Sequence, residues 1–294
     1  MWKKKGVIIS PQNNLWWMKT HAMLPTVRHV EDNKYIVYYS GRDENNVSHI
    51  GASEIAIDGD NIKVISYSTE PVFSIGERGC FDDNGVTPSC MLQDKLYYIG
   101  WNSGTTTYRM SLIMGLAIKK DGDIKRHSRA PLFQKTDKEP YGILTAPWVI
   151  FDDNKYKMWY VSGEGWINKN LPKYNIKYAV SDDGINWQRN ADVAIELQGK
   201  ETALARPNVL KTANGYEMFF SYKDPEKTYR IGRATSEDGK LWLRDKKEVL
   251  GVSIEGWDSE MVAYPCVFKH NNKKYMLYNG NGYGLTGVGY AVEE

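Results

Sequence analysis

Apolar and polar positions alternate through most of this chain in short runs, and Gly, Pro, Asn and Asp interrupt the runs. A period of two places successive side chains on opposite faces of an extended strand, so the pattern predicts β-structure throughout. No sustained helical period of apolar residues is present, and no helix longer than a turn or two is expected. Residues 139–166 show the unit most clearly: a polar approach, a strand entered at Pro147, a turn at Asp152-Asp153-Asn154-Lys155, and a second strand ending in Gly163-Glu164-Gly165-Trp166. Turn residues between two alternating runs read as a hairpin.

The same unit is written five times. Leu24-Pro25-Thr26-Val27, Thr87-Pro88-Ser89-Cys90, Ala146-Pro147-Trp148-Val149, Arg206-Pro207-Asn208-Val209 and Tyr264-Pro265-Cys266-Val267 each open a strand, and their prolines are 63, 59, 60 and 58 residues apart. A Tyr-rich second strand follows each, as in Tyr35-Ile36-Val37-Tyr38-Tyr39 and Tyr275-Met276-Leu277-Tyr278. A third strand then ends in a small-residue motif such as Ile50-Gly51-Ala52 or Gly115-Leu116-Ala117. Asp-Gly turns at Asp58-Gly59, Asp121-Gly122, Asp183-Gly184 and Asp238-Gly239 announce a fourth, outer strand. Four antiparallel strands repeated five times predict an all-β fold, a five-bladed β-propeller in one domain spanning residues 1–294. The fifth unit stops at Glu294 after its third strand, so the spare strand Gly6-Val7-Ile8-Ile9-Ser10 is expected to close the ring as the outer strand of the last blade.

Composition narrows the function. The 20 Tyr, 10 Trp and 7 Phe suit a β-rich fold first and sugar-stacking surfaces second. A formal net charge of +2 without a long basic run argues against a nucleic-acid surface. Cys80, Cys90 and Cys266 follow no metal-ligand spacing and are expected as free thiols, and neither a metal nor another cofactor is expected. Val7-Ile8-Ile9 is too short an apolar run for a signal peptide, and no stretch reaches the length of a membrane span, so a soluble cytoplasmic protein is expected.

Residues entering the first strand of a hairpin and leaving the second lie at the same end, which gathers ten segments around one mouth of the ring. That set is rich in acids, bases and aromatics, and loops on a rigid scaffold are where function usually sits. Asp83, Glu139, Glu201 and Glu260, five to eight residues before their prolines, are the candidate catalytic carboxylates, because glycoside hydrolysis uses two carboxyl groups across a sugar. One of Glu139 or Glu201 would act as general acid, and Asp83 or Glu260 as base or nucleophile. Candidate substrate contacts are His21, Arg42, Asp43, Asp82, Trp101, Asn102, Glu164, Trp166, Arg206, Lys223, Asp258, Asn279 and Tyr283. Among them Arg206 and Lys223 would orient an anionic or polar group, and Trp101, Trp166 and Tyr283 would serve as sugar platforms. Structural readings stand beside these: Asp82-Asp83 as a turn-forming pair, Glu201 paired with Arg206, and Asp258 with Glu260 pointing the same way on an extended approach.

The five-fold proline, the Tyr-rich strand and turns such as Asp183-Gly184-Ile185-Asn186-Trp187 resemble the five-bladed propellers of glycoside hydrolase families 43, 32 and 130, over essentially the whole chain. Trp17-Met18-Lys19-Thr20-His21-Ala22, Phe81-Asp82-Asp83-Asn84-Gly85-Val86 and Gly256-Trp257-Asp258-Ser259-Glu260-Met261 resemble an uncharacterised branch associated with bacterial polysaccharide genes. The resemblance implies a carbohydrate-active enzyme that hydrolyses or transglycosylates a glycan, with an oligosaccharide or smaller sugar as substrate. Family 43 enzymes place Asp immediately before the first two prolines and Glu two residues before the third, where this chain has Leu24, Thr87 and Thr145. Fold resemblance alone does not set activity. A non-catalytic glycan-binding propeller, a polysaccharide-biosynthesis glycosyltransferase and a scaffold for protein partners are therefore the alternatives.

Overall fold

A computed structural model describes every residue from Met1 to Glu294. β1 (Trp2–Ile9) opens the chain. β2 (Thr20–Glu31), β3 (Lys34–Arg42), β4 (Ser48–Asp58) and β5 (Asn61–Tyr67) then pair in chain order as an antiparallel set. The arrangement repeats with β6 (Val86–Leu92), β7 (Lys95–Ser103), β8 (Met110–Lys120) and β9 (Asp123–Arg126). It repeats again with β10 (Ile143–Asp152), β11 (Lys155–Asn168), β12 (Leu171–Ser181) and β13 (Trp187–Ile195), and with β14 (Ala203–Thr212), β15 (Gly215–Lys223), β16 (Arg230–Ser236) and the short β17 (Leu243–Arg244). β18 (Ala263–His270), β19 (Lys273–Asn279) and β20 (Val288–Glu293) form the last set, with the four-residue α1 (Asn281–Gly284) before β20. β1 completes it, running antiparallel to β20 from Trp2 opposite Glu293 to Ile9 opposite Val288. The spare N-terminal strand therefore covers the open edge, and it begins four residues earlier than Gly6. No helix is long and apolar enough to cross a membrane.

Local chemistry makes the hairpins. At the β10–β11 turn Asp153 and Asn154 have φ of 52° and 58°, and at the β18–β19 turn Asn271 and Asn272 have 46° and 63°. Two consecutive positive φ values give the turn whose twist matches paired strands, and Asn and Asp tolerate that conformation best.

The adjacent aromatics of the second strands have a common cause. Tyr38 packs with Ile50, Leu96 and Tyr98, while its neighbour Tyr39 packs with Trp17, Leu277 and Tyr290. Met158 and Tyr160 likewise join Cys90 and Tyr97, whereas Trp159 joins Leu204 and Met218. Phe219 packs with Met276 and Tyr278, and Phe220 with Ile176. Each set is thus covered on both faces by its neighbours in the chain, the last set packs on the first, and both alternating positions must be apolar. A sixth core of Met23, Leu24, Ile99, Ile143, Ala146, Val161, Tyr174, Ala205, Tyr229 and Ala263 draws on all five sets.

The third-strand glycines fit the same packing. A Cβ on Gly51 would meet the Trp17 ring at 2.0 Å, and one on Gly115 the Tyr98 ring at 2.3 Å. Every first strand shifts register at its proline, which offers no N–H to the ladder. Leu24, Ala146, Arg206 and Tyr264, each directly before a proline, have φ between 47° and 58°, a conformation rare for residues with side chains.

Candidate functional site

Those four strained residues converge on one cavity of about 250 Å³. Its wall is largely apolar, with Met23, Ile99, Leu112, Ile143 and Val161 among the lining side chains. Its charged groups are all basic: Arg42 at the end of β3, Arg109 just before β8, Arg206 on β14 and Lys223 at the end of β15, joined by Thr145, Asn170, Tyr174, Tyr229, Tyr264 and Tyr283. No Asp or Glu lines it. Burial, and then the like charge of Arg109, holds Lys223 below the ordinary lysine range, and burial with Arg109 also lowers Arg42.

Arg206 forms the inner end of this cationic set. It is fully buried, yet no acid pairs with it. Its guanidinium donates to the carbonyls of Pro25 and Ser89 and to the hydroxyls of Thr26 and Ser89, and lies 5.9 Å from the Trp148 ring. Its Nε has no partner, and neither does the buried Thr145 Oγ1. Buried polar atoms are nearly always satisfied, so two orphans in one cavity wall mark a place where a polar ligand completes the bonding. Tyr174 and Tyr229 are buried with their hydroxyl oxygens 2.5 Å apart, and burial raises the Tyr174 phenol to about 12 and Tyr229 well above its ordinary value. Lys223 Nζ lies 5.0 Å from the Tyr229 ring centre.

The acids at the same end of the molecule are held elsewhere. Asp82, almost fully buried, accepts from Tyr98 on β7 at 2.9 Å and pairs with Arg126 of the outer strand β9 at 2.7 Å. Glu139 accepts from Tyr160 at 2.9 Å and Ser162 at 2.8 Å on β11 and pairs with Arg189 of β13. Asp258 accepts from Tyr278 on β19 at 2.9 Å and pairs with Lys4 of β1 at 2.7 Å. Glu201 pairs through both oxygens with Arg244 of β17, at 2.7 and 2.8 Å, and Phe220 occupies the tyrosine position. In the first set Trp17 stands where the others have an acid, donating to the Thr69 carbonyl at 3.0 Å and packing on Tyr39. An acid six to eight residues before the proline therefore ties its second strand to its outer strand. In the third set Lys177 replaces the usual glycine, and its Nζ lies 4.0 Å from Glu139 and 2.9 Å from Glu164.

Of the expected site residues, Arg42, Trp101, Arg206, Lys223 and Tyr283 come together in the cavity wall. The four expected catalytic carboxylates do not line it. Asp83 accepts from the Gly79 amide and from Asn102, the turn role open to it in the sequence, and Asn102 also donates to the Cys80 carbonyl. Glu201 does not pair with Arg206, because the positive φ before Pro207 belongs to a residue whose side chain bonds across to Pro25 and Ser89. Asp258 and Glu260 do not point the same way: a turn closed by the Ser259 amide on Gly256 separates the buried Asp258 from an exposed Glu260. Asp43 accepts from the Asn45 and Val47 amides, and Asn279 bonds Leu24, Ala22 and Gly287. Trp166 packs on Tyr108, with ring centres 5.7 Å apart. His21 is half-buried beside Arg42, which together lower its pKa to about 4. Sequence reasoning missed Arg109, Thr145, Asn170, Tyr174, Tyr229 and Tyr264; the signal available for Tyr264 was its place before Pro265, shared with Arg206.

No family model matches the sequence. The chain is 39% identical over 304 residues to the uncharacterized protein Rv1502 of Mycobacterium tuberculosis (strain ATCC 25618 / H37Rv), an alignment covering 100% of this chain and 99% of that one. Among solved structures, one described as a glycoside hydrolase superposes with a TM-score of 0.75 at 18% identity, covering 99% of this chain and 91% of that chain. A thermostable family-43 glycoside hydrolase gives 0.65 at 15%, covering 93% and 88%, and the β-1,2-mannobiose phosphorylase of Listeria innocua, in complex with β-1,2-mannobiose, gives 0.68 at 12%, covering 94% and 90%. The chain belongs to the family of the mycobacterial protein Rv1502, and its fold is that of the glycoside hydrolase-like propellers.

Proposed function

We propose that this protein is a single-domain, five-bladed propeller whose central cavity binds a glycan carrying an anionic group. The observation that carries this reading is the composition of the cavity: four cationic side chains from β3, β14, β15 and the approach to β8, four tyrosines and no carboxylate. Like charges gathered round one cavity repel one another unless something compensates them, and a ligand oxyanion does so. Arginine forks suit a carboxylate or phosphate, and tyrosine rings and hydroxyls suit a sugar. The shared fold with solved glycoside hydrolases and a mannobiose phosphorylase supports carbohydrate as the ligand class. Arg42 and Arg109 hold the anionic group, Lys223 and the unpartnered Nε of Arg206 lie in the same wall, and Trp101 and Tyr283 contact the sugar.

Hydrolysis or transglycosylation by a carboxylate pair is the second reading, favoured by the same neighbours. It has one uncommitted acid among the four expected, Glu260, whose carboxylate makes no hydrogen bond or ion pair. The test is calorimetric titration of carboxylated, phosphorylated and neutral oligosaccharides. Acidic glycans are expected to bind and their neutral counterparts to bind at least about tenfold more weakly, roughly 1.4 kcal/mol. Equal affinity for neutral and acidic forms would sink the reading.

A further inference from the structure

The cavity's residue types restrict what chemistry it performs on such a ligand. Two carboxyl groups, one acid and one base, are what glycoside hydrolysis ordinarily uses, and none lines this wall. Present instead are a lysine, tyrosine hydroxyls and arginines, which are together a base, an acid and a neutraliser of charge. Lys223 Nζ sits 5.0 Å from the Tyr229 ring centre, and the Tyr229 hydroxyl is 2.5 Å from that of Tyr174. One of those two hydroxyls donates to the other, so the second phenolic hydrogen has no acceptor among its protein neighbours and is free for a ligand in the cavity both rings line.

Resting on the acidic-glycan reading, we infer that the cavity cleaves uronic-acid glycans by β-elimination, with Lys223 as base and the Tyr174–Tyr229 pair as acid. Arg42 and Arg109 pair with the uronate carboxylate and make the proton on the adjacent ring carbon, C5, removable. The Lys223 amine takes that proton. The C5–H electrons become the C4–C5 double bond, the C4–O bond to the preceding sugar breaks, and the departing oxygen keeps that electron pair and receives the phenolic proton. No water is consumed, and nothing is oxidised or reduced. An alkoxide leaving group is more basic than a phenolate, so a phenol raised by burial still protonates it. The groups facing Lys223 are Arg42, Arg109 and the four tyrosines, with no carboxylate to hold its proton, and burial and Arg109 favour its neutral form.

The experiment incubates the purified protein with oligouronides of several linkages and with neutral oligosaccharides of the same length, reading the ultraviolet absorbance of the conjugated product and product masses. An absorbing product with no added water is expected from an oligouronide. Lys223→Ala and Tyr229→Phe should each lower the rate by about 100-fold or more with the folded structure retained by circular dichroism, whereas Glu260→Gln should leave it unchanged. Products that carry an added water, or tight oligouronide binding without turnover, overturn the elimination and leave the acidic-glycan site standing. Failure of every acidic glycan to bind removes both.

Discussion

Two rings of charge lie at the same end of this molecule and are built on opposite principles. In the outer one each acid meets a cation from the outer strand of its own set, and in three sets a tyrosine donates as well: Asp82 with Arg126 and Tyr98, Glu139 with Arg189 and Tyr160, Asp258 with Lys4 and Tyr278. In the inner one Arg42, Arg109, Arg206 and Lys223 share a cavity with no acid at all. A paired buried charge serves the fold, and an unpaired one is costly unless a ligand arrives. Richness in carboxylates is therefore a poor guide to the site here, and their absence is the better one.

Breaking an outer pair should give the largest effect. Glu139→Gln keeps the shape and the bonds from Tyr160 and Ser162 but leaves Arg189 without its buried acid, while Lys177 retains Glu164. A loss of about 3–5 kcal/mol in unfolding free energy is expected by denaturant titration, and Arg189→Met in the same chain should restore part of it. A loss under about 1 kcal/mol would show that the pair does not hold the set together. The inner ring should respond the other way. Arg42→Gln and Arg109→Gln relieve mutual repulsion, so the melting temperature should hold or rise, while affinity for an acidic glycan falls at least about tenfold for each, roughly 1.4 kcal/mol. A smaller test separates the tyrosine from the cation: Tyr98→Phe imitates the fourth set, where Phe220 stands beside Glu201 and Arg244, and should cost about 1 kcal/mol in stability without touching affinity.

The contrast explains which parts were legible in the sequence. Prolines near sixty residues apart and doublets such as Tyr38-Tyr39 and Tyr97-Tyr98 are imposed by packing on both faces of each set, so the repeated strands and the closing strand could be read directly. The mouth was also found, since Arg42, Trp101, Arg206, Lys223 and Tyr283 all reach the cavity. Direction within the mouth was not legible. Six to eight residues before the proline, a side chain meets the second strand and the outer strand of its own set; one residue before it, the strained φ accompanies a side chain in the cavity wall. Alternation along a strand does not encode that difference. Arg109 and Asn170 were missed for another reason: they stand beside the β7–β8 and β11–β12 connections, where the Arg109 amide donates to the Lys169 carbonyl across two sets, a contact no single repeat reveals.

His21 gives the finest probe of the comparison, because it sits beside the inner ring without belonging to it. Burial, and then the charge of Arg42, lowers its pKa from 6.5 to about 4. The unfolded chain therefore binds more protons than the folded one between those values. This contribution to stability is fully present above pH 6.5 and is lost as pH falls toward 4. His21→Asn should flatten that acid slope by less than about 1 kcal/mol, since the ring is partly open to solvent; asparagine accepts the φ of 62° at this position. His49, also lowered by burial, leaves a residual slope. In Arg42→Gln the His21 pKa, followed by NMR, should move upward but stay below 6.5, because burial is the larger cause. An unmoved His21 would mean that Arg42 is already neutralised by a group outside the cavity wall, and the inner ring would then lose its claim to an uncompensated charge.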